Sequence, residues 1–247
     1  MRVAALYDIH GNLPALEAVV AEVREADVDR VIVGGDVVPG PMPREALMLL
    51  RQLNVPVQFI LGNGEVAVIA EMAGSIPTVP EQYRGVIRWN AEQLAPEGAS
   101  WFGGWPKTLR VHIPEIGDVL FCHATPRNEN EIFLRTTAEE RLRPVFAGVG
   151  AAFVVCGHTH MQFDRMVSSI RVVNAGSVGM PFGEAGADWL LLGPDVELHH
   201  TEYDLADAAA RVRATKYPQA ADFAENNVLR PPSEVRMMEL LARAELK

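Results

Sequence analysis

The sequence predicts an α/β fold in which a largely parallel sheet is covered by helices. Two observations lead there: short apolar runs alternate with stretches of helical periodicity through the first 72 residues, and the connections between them are short. Val3–Tyr7 reads as a strand, and Leu13–Glu25 as a helix with apolar residues at Leu13, Leu16, Val19, Val20 and Val23. Val31–Gly34 is the next strand, Arg44–Leu53 a helix behind Pro43, Val57–Leu61 a third strand and Glu65–Met72 a third helix. Pro80–Leu94 reads as helical and Ser100–Trp105 as an aromatic-rich turn. Aromatic spacing in 75–107 favours core packing, with a lid of cap helices as the alternative. Thr108–Ile113 and Val119–Cys122 form a hairpin around Pro114–Gly117, followed by a short helix at Ala138–Arg143 and a strand at Phe153–Cys156. Ser169–Val173, Trp189–Leu192 and Val196–Tyr203 are strand-like and expected to be antiparallel. Asp204 caps a helix to about Lys216, and Ser233–Leu246 is a final amphipathic helix, so 204–247 is a helical extension of one domain, 1–247.

Bulk properties narrow the function. The net charge is −10, with no run of Lys or Arg, which excludes a dedicated nucleic-acid surface and an anionic-membrane surface. The two cysteines, Cys122 and Cys156, make no disulfide framework and read as reduced thiols. No apolar run reaches membrane length, and the opening MRVAALYDIH is too short for a signal peptide, so the expectation is a cytoplasmic protein.

Five apolar runs end at a residue able to ligate a metal. VAALY stops at Asp8, with His10 two residues on, VIVGG at Asp36, VQFILG at Asn63, VLFC at His123, and AFVVCG at His158 with His160 two residues on. Sites in α/β sheets form beyond the carboxyl ends of strands, so these positions can share one rim. A single polar residue after a strand is usually a turn or cap residue; five together are not explained that way. Seven oxygen and nitrogen donors suit two divalent ions sharing a carboxylate, the arrangement typical of phosphate-ester hydrolysis. His112, His199 and His200 lie in strands of alternating pattern and read as structural or surface histidines.

The motifs DIHGN (Asp8–Asn12), GGD (Gly34–Asp36), GNGE (Gly62–Glu65), CHATPR (Cys122–Arg127), CGHTH (Cys156–His160) and VNAGSVG (Val173–Gly179) resemble those of the calcineurin-like metallophosphoesterase superfamily, in particular its small prokaryotic phosphodiesterase-like members. The resemblance implies a four-layer αββα sandwich of two mixed sheets. It also implies two divalent transition-metal ions (Mn, Fe, Zn, Ni or Co), one held by Asp8, His10, Asp36 and His160. Asp36, Asn63, His123 and His158 hold the other. Asp36 and Asn63 are then also catalytic, and Asn12 supports the site. The implied activity is phosphodiester hydrolysis by a metal-bridging hydroxide on a small substrate, nucleotide-like esters among the candidates. A phosphomonoesterase is the alternative, and a non-catalytic scaffold of the same fold a weaker one. Arg127 is a further catalytic candidate, either taking a phosphate oxygen or standing as a surface arginine. A homo-oligomer is compatible with the stripe on the last helix. One departure stands out: many members place a histidine where this chain has Gly64, and that histidine is usually assigned to leaving-group protonation or contact with the phosphate. Its absence tilts the expectation towards diesters, and leaves Glu65 as an ordinary acid at a helix start.

Overall fold

The computed structural model describes residues 1–95 and 97–246. Among these residues, ten strands form two mixed five-stranded sheets. In the first, β1 (Val3–Leu6), β2 (Arg30–Val33) and β3 (Val57–Phe59) run parallel, and β9 (Ala187–Leu192) and β10 (Val196–Thr201) extend it antiparallel in the order β10-β9-β1-β2-β3. In the second, β5 (Gly117–Cys122), β6 (Phe153–Cys156) and β8 (Ile170–Asn174) are parallel. Antiparallel strands β4 (Thr108–Ile113) and β7 (Phe163–Val167) close its two edges.

Strand β1 shows why the sheets face each other. Val3, Ala5 and Tyr7 enter the core between the sheets with Phe121, Val155 and Val173, whereas Ala4 and Leu6 enter the core beneath the helices. Both faces are buried, so the strand reads as an unbroken apolar run. Helices α1 (Leu13–Glu25), α2 (Pro43–Arg51), α3 (Asn63–Met72) and α4 (Glu81–Leu94) cover the first sheet; α5 (Glu139–Phe146) covers the second. Trp189 and Tyr7 are fully buried, and burying a side chain of this kind contributes on the order of 2–3 kcal/mol.

The single parallel sheet expected from the alternating elements is therefore two sheets, as the family resemblance implied. Ile170–Asn174 pairs parallel with β6 as well as antiparallel with β7, not antiparallel throughout. Strand β7 escaped the sequence because Asp164, Arg165 and exposed Met166 break its apolar pattern. In 75–107, Ile87, Leu94, Trp101 and Phe102 pack in the helix-side core, while Tyr83 stays exposed.

After β10, Asp204 caps α6 (Leu205–Arg213), accepting from Asp207 N at 2.9 Å. Then come α7 (Ala220–Phe223), a π-helical turn at Ala224–Leu229, and α8 (Glu234–Leu241). Met237, Met238 and Leu241 are half-buried on α8, whereas Val235 and Leu240 remain exposed. No helix among the described residues is long and apolar enough to cross a membrane.

Gly85 lies exposed within α4, and a Cβ there would meet nothing within 4 Å. Gly85→Ala is expected to raise stability by about 0.5–1 kcal/mol through helix propensity alone. Chemical denaturation checks this; a loss of stability would mean the site is not open.

Candidate metal centre

The parallel strands of both sheets end on the same side, and the segments following them converge. Asp8 and His10 follow β1, Asp36 follows β2, His123 follows β5, and His158 and His160 follow β6. Asn63 opens α3. Asp8, His10, Asp36, His158 and His160 all adopt left-handed backbone conformations, with φ between 47° and 67°. Non-glycine residues avoid this region, at a cost of order 1–3 kcal/mol each when forced, and such strain concentrates at functional sites. Sequence could not show it; here it marks five of the seven expected ligands.

Hydrogen bonds hold these strained turns. Asp8 N donates to Gly35 O and His10 N to Asp36 O, tying the two loops of the first sheet together. The segment after β8 clamps the end of β1: Val178 N donates to Tyr7 O, and Ser177 Oγ to Asp8 O at 2.7 Å. Gly176 turns this segment with φ of +78°. Asn12 has the expected supporting place. Its Nδ2 donates to Gly179 O at 2.9 Å, and its Oδ1 accepts from Ala15 N.

The four imidazoles are oriented by backbone carbonyls. Nδ1 of His10, His123 and His160 lies 3.1, 2.9 and 2.8 Å from the carbonyl oxygens of Pro39, Gly34 and Met180. For His158 the contact runs from Nε2 to Asn130 O at 3.2 Å. A carbonyl only accepts, so each of these nitrogens carries the proton and the other ring nitrogen keeps a free lone pair. The free nitrogens then meet other acceptors. Nε2 of His10 and His160 are 3.3 Å apart, and His123 Nε2 is 3.0 Å from Asn63 Oδ1. Asp8 Oδ1 is buried without a hydrogen-bond partner, 3.4 Å from His160 Nε2 and 3.8 Å from His123 Nε2. Asp36 turns Oδ2 towards His10 Nε2 at 3.8 Å and Oδ1 towards His123 Nε2 at 3.6 Å.

Charge follows the same logic. Burial works to raise the Asp8 pKa, but the fields of His160, His123 and His10 hold it well below the usual carboxylate range. Burial and the neighbouring Asp8 push Asp36 up. Burial depresses His10 and His158 to about 3, helped by the proximity of His160 and His123 respectively. For His160 burial works to lower the pKa, but the neighbouring Asp8 and the Met180 carbonyl raise it. Four imidazoles, clustered acceptors and two buried carboxylates are a donor set that fits divalent cations. Two groups have ligand atoms all within 4.8 Å of one another: Asp8, His10 and His160, and Asp8, Asp36 and His123. His158 stands beside them, its ring 5.1 Å from that of His123.

Arg127 is not brought to this cluster. Its side chain is 46% exposed, donates to both oxygens of Glu131, and lines a separate surface groove with Arg110 and Val149. Outside the cluster, His112 pairs with Asp118, His200 with Asp188, and His199 stacks on Trp189 at 4.3 Å. Phe182 stacks on His160 at 5.2 Å. Glu65 is more than the helix-start acid expected from sequence. Fully buried, it accepts from Asp36 N at 2.8 Å, Val38 N at 3.1 Å and Gly62 N at 2.8 Å, bracing the Asp36 loop against α3. Burial, then the field of Asp36, raises its pKa to about 7 against those three donors. The readable signal was its N3 position, where a capping-box acid turns back to the cap backbone.

A cleft of about 670 Å³ opens beside the cluster. His10, Asp36, Asn63, Gly64 and His158 line its inner end. Tyr83 of α4 and residues between Tyr217 and Asn227 line its outer part.

The chain is similar to known proteins in sequence and fold. A model of the calcineurin-like phosphoesterase superfamily domain matches residues 1–194. An uncharacterized protein of Methanocaldococcus jannaschii is 24% identical over 237 residues, covering 88% of this chain and 94% of its own. The crystal structure of a metallophosphoesterase from Sphaerobacter thermophilus aligns with TM-score 0.72 and 26% identity, over 92% of this chain and 99% of that one. The structure of a hypothetical protein from Pyrococcus horikoshii OT3 shares the fold, with TM-score 0.77 at 22% identity over 94% and 99% of the two chains. With the match spanning most of its length, the chain belongs to the calcineurin-like phosphoesterase superfamily, a family of metal-binding phosphoester hydrolases.

Proposed function

We propose that the protein hydrolyses phosphodiesters, using two divalent transition-metal ions held by the converged side chains. The observation that carries this reading is the orientation of the four imidazoles, each spending its proton on a backbone carbonyl and leaving a lone pair free. In this assignment Asp8, His10, Asp36 and His160 hold one ion, and Asp36, Asn63, His123 and His158 hold the other. Asp36 is the shared ligand because its two oxygens are turned towards the two halves. Bound there, the ions supply charge neutralisation for the phosphate and a water acidic enough to attack near neutral pH.

The chain's own groups do the positioning. The carbonyls of Pro39, Gly34, Met180 and Asn130 fix the imidazole tautomers, an outer-shell role typically worth 10–100-fold in metal affinity. Glu65 and Gly64 N fix the Asp36 loop, with Gly64 N donating to Asp36 Oδ1 at 2.7 Å. Two features favour diesters over monoesters. Gly64 offers no side-chain acid for the leaving group, and no Lys or Arg among the described residues lines the cleft to neutralise the second charge of a monoester. The segment after Asp204 belongs to the same functional unit, since it supplies the cleft's outer wall.

The test is elemental analysis of purified protein, with hydrolysis of matched aryl mono- and diesters across Mn, Fe, Zn, Ni and Co. Bound metal and a higher kcat/KM on the diester are expected. A preference for the monoester would overturn the diester assignment, and an inability to bind metal on reconstitution would overturn the whole reading. Arg127 has no part in this site. Arg127→Ala is expected to leave kcat/KM near wild type while lowering stability by about 1–3 kcal/mol, because the buried Glu131 carboxylate then keeps Thr125 Oγ1 but loses both guanidinium bonds. A tenfold fall in kcat/KM would return it to the site.

A further inference from the structure

We propose that the segment from Pro232 to Leu246, which carries α8, clamps the two loops that orient His158 and His160, with Glu234 and Glu245 as its positioning residues. This rests on the metal-binding reading above and adds what holds two of its histidines in place. The segment lies outside residues 1–194, the part of the chain that the family model matches.

The carbonyls facing His10 and His123 belong to Pro39 and Gly34, in the same turn that carries Asp36. Those facing His160 and His158 are farther from any ligand in sequence. They belong to Met180, in the stretch between β8 and β9, and to Asn130, between β5 and α5. Asn130 N and Glu131 N both donate to Asn128 Oδ1, at 2.9 and 2.8 Å, so the Asn130 loop is shaped largely by itself. Shape alone does not fix its carbonyl against His158. That carbonyl keeps the proton on Nε2 and the lone pair on Nδ1. If it moves away, the proton can settle on Nδ1 and leave the wrong nitrogen free.

The segment reaches both loops. Ahead of α8, Pro232 O accepts from Gly183 N at 2.9 Å, three residues past Met180. Glu234 covers the same glycine, since a Cβ on Gly183 would meet Glu234 Cγ at 3.1 Å, and it accepts from Arg135 Nη2 at 2.6 Å. Beyond α8, Leu246 N donates to Ile132 O at 2.8 Å, and Glu245 pairs with Ile132 as a parallel bridge two residues past Asn130. The Glu245 carboxylate accepts from Thr137 Oγ1 and from Arg141. Its side chain is only 11% exposed, so these charge-assisted bonds escape much of the screening that weakens a surface pair. Pro232, Leu241, Ile132 and Met180 line the cleft together with His10 and His158, which places the clamp along the side of the site.

The test titrates Co2+ alone into the chelator-stripped full chain, followed by calorimetry and by the Co2+ absorption spectrum, which reports ligand geometry. Glu234→Ala and Glu245→Ala are each expected to weaken Co2+ binding about five- to tenfold, near the lower edge of outer-shell effects, and to change the spectrum. Glu245→Gln keeps an acceptor for Thr137 Oγ1 and Arg141 and should restore most of the affinity. Arg211→Ala is the control. It breaks an ion pair to Glu17, at 2.7 Å, that ties α6 to α1 and touches neither loop. It should leave Co2+ affinity and spectrum unchanged, whatever it does to the melting temperature. Clamp variants that lose melting temperature alone, with wild-type Co2+ affinity and spectrum, would overturn the proposal. The two glutamates lie at opposite ends of α8, so if one variant fails to fold the other decides. Hydrolysis is scored separately: Co2+ affinity that falls as expected in a protein that cleaves no phosphate ester supports the clamp and overturns the hydrolase reading.

Discussion

Asp36→Asn is expected to lower kcat/KM on an aryl phosphodiester by about three powers of ten, the effect of losing several kcal/mol of charge stabilisation at the reacting centre. The substitution isolates charge. Asparagine keeps the Oδ1 that accepts Gly64 N at 2.7 Å, and it tolerates the φ of 52° that the position requires. What disappears is the negative charge between the two sets of donors, and with it the screening of one cation from the other. At least one ion should be lost on elemental analysis.

The metal-free protein should move the other way. Burial and the neighbouring Asp8 raise the pKa of Asp36 above its unfolded value. The folded state therefore holds this proton more tightly than the unfolded state does. Whatever stability that holds is present below the unfolded pKa and fades as pH rises through the folded pKa. As pH rises above the unfolded pKa the wild-type apoprotein loses that contribution, whereas a neutral asparagine has nothing to titrate. The apo variant should thus melt at or above the wild-type temperature while the loaded variant is nearly inactive. A variant that keeps both ions and wild-type kcat/KM would remove Asp36 from the centre; an apo melting temperature several degrees lower would show that Asp36 is structural.

The candidate cluster was legible because each member follows a strand end, where an apolar run stops and a side chain able to ligate a metal follows. Identity and local position were enough for Asp8, His10, Asp36, Asn63, His123, His158 and His160. The left-handed backbone at five of them was not legible, since Asp and His write no such conformation into the sequence and tertiary hydrogen bonds impose it. Glu65 was underestimated because its three donors come partly from a loop 27 to 29 residues away. Arg127 was legible only as a choice between two readings, and an acid four residues on, Glu131, takes its guanidinium. The two-sheet architecture came from the family resemblance; strand periodicity alone cannot say which strands share a sheet. The cleft wall at Asp222, Asn226 and Asn227 matches no motif, and a π-helical turn has no pattern that separates it from an α-helix.

Gly64 bears the second large expected effect, and the structure changes what its substitution would test. Sequence reasoning treats the position as a missing proton donor, to be restored by Gly64→His. A Cβ placed there would lie 2.0 Å from Val38 O, 2.7 Å from Pro39 Cδ and 3.0 Å from Asp36 Oδ1. Two of these neighbours belong to the Val38–Pro39 stretch and cannot swing aside as a flexible side chain would. The position is glycine because helix α3 starts pressed against that loop, a close approach that any side chain would pry apart. Forcing it open moves Gly64 N away from Asp36 and shifts Asn63, the adjacent residue. Gly64→Ala is therefore expected to cost about 1–3 kcal/mol of stability, as overpacking does. Metal affinity and kcat/KM should fall by about 10–100-fold, the scale of a disturbed outer shell. Gly64→His should be at least as damaging and should gain no monoesterase activity. The informative comparison is with Gly85→Ala, the same chemical change made in open space, which should stabilise. Melting temperature, metal content and kcat/KM on both ester types separate the two accounts. If Gly64→Ala folds, binds metal and turns over like wild type, the close approach is not what fixes glycine here. If Gly64→His is folded, fully loaded and shifted towards monoesters, the missing acid was the reason after all.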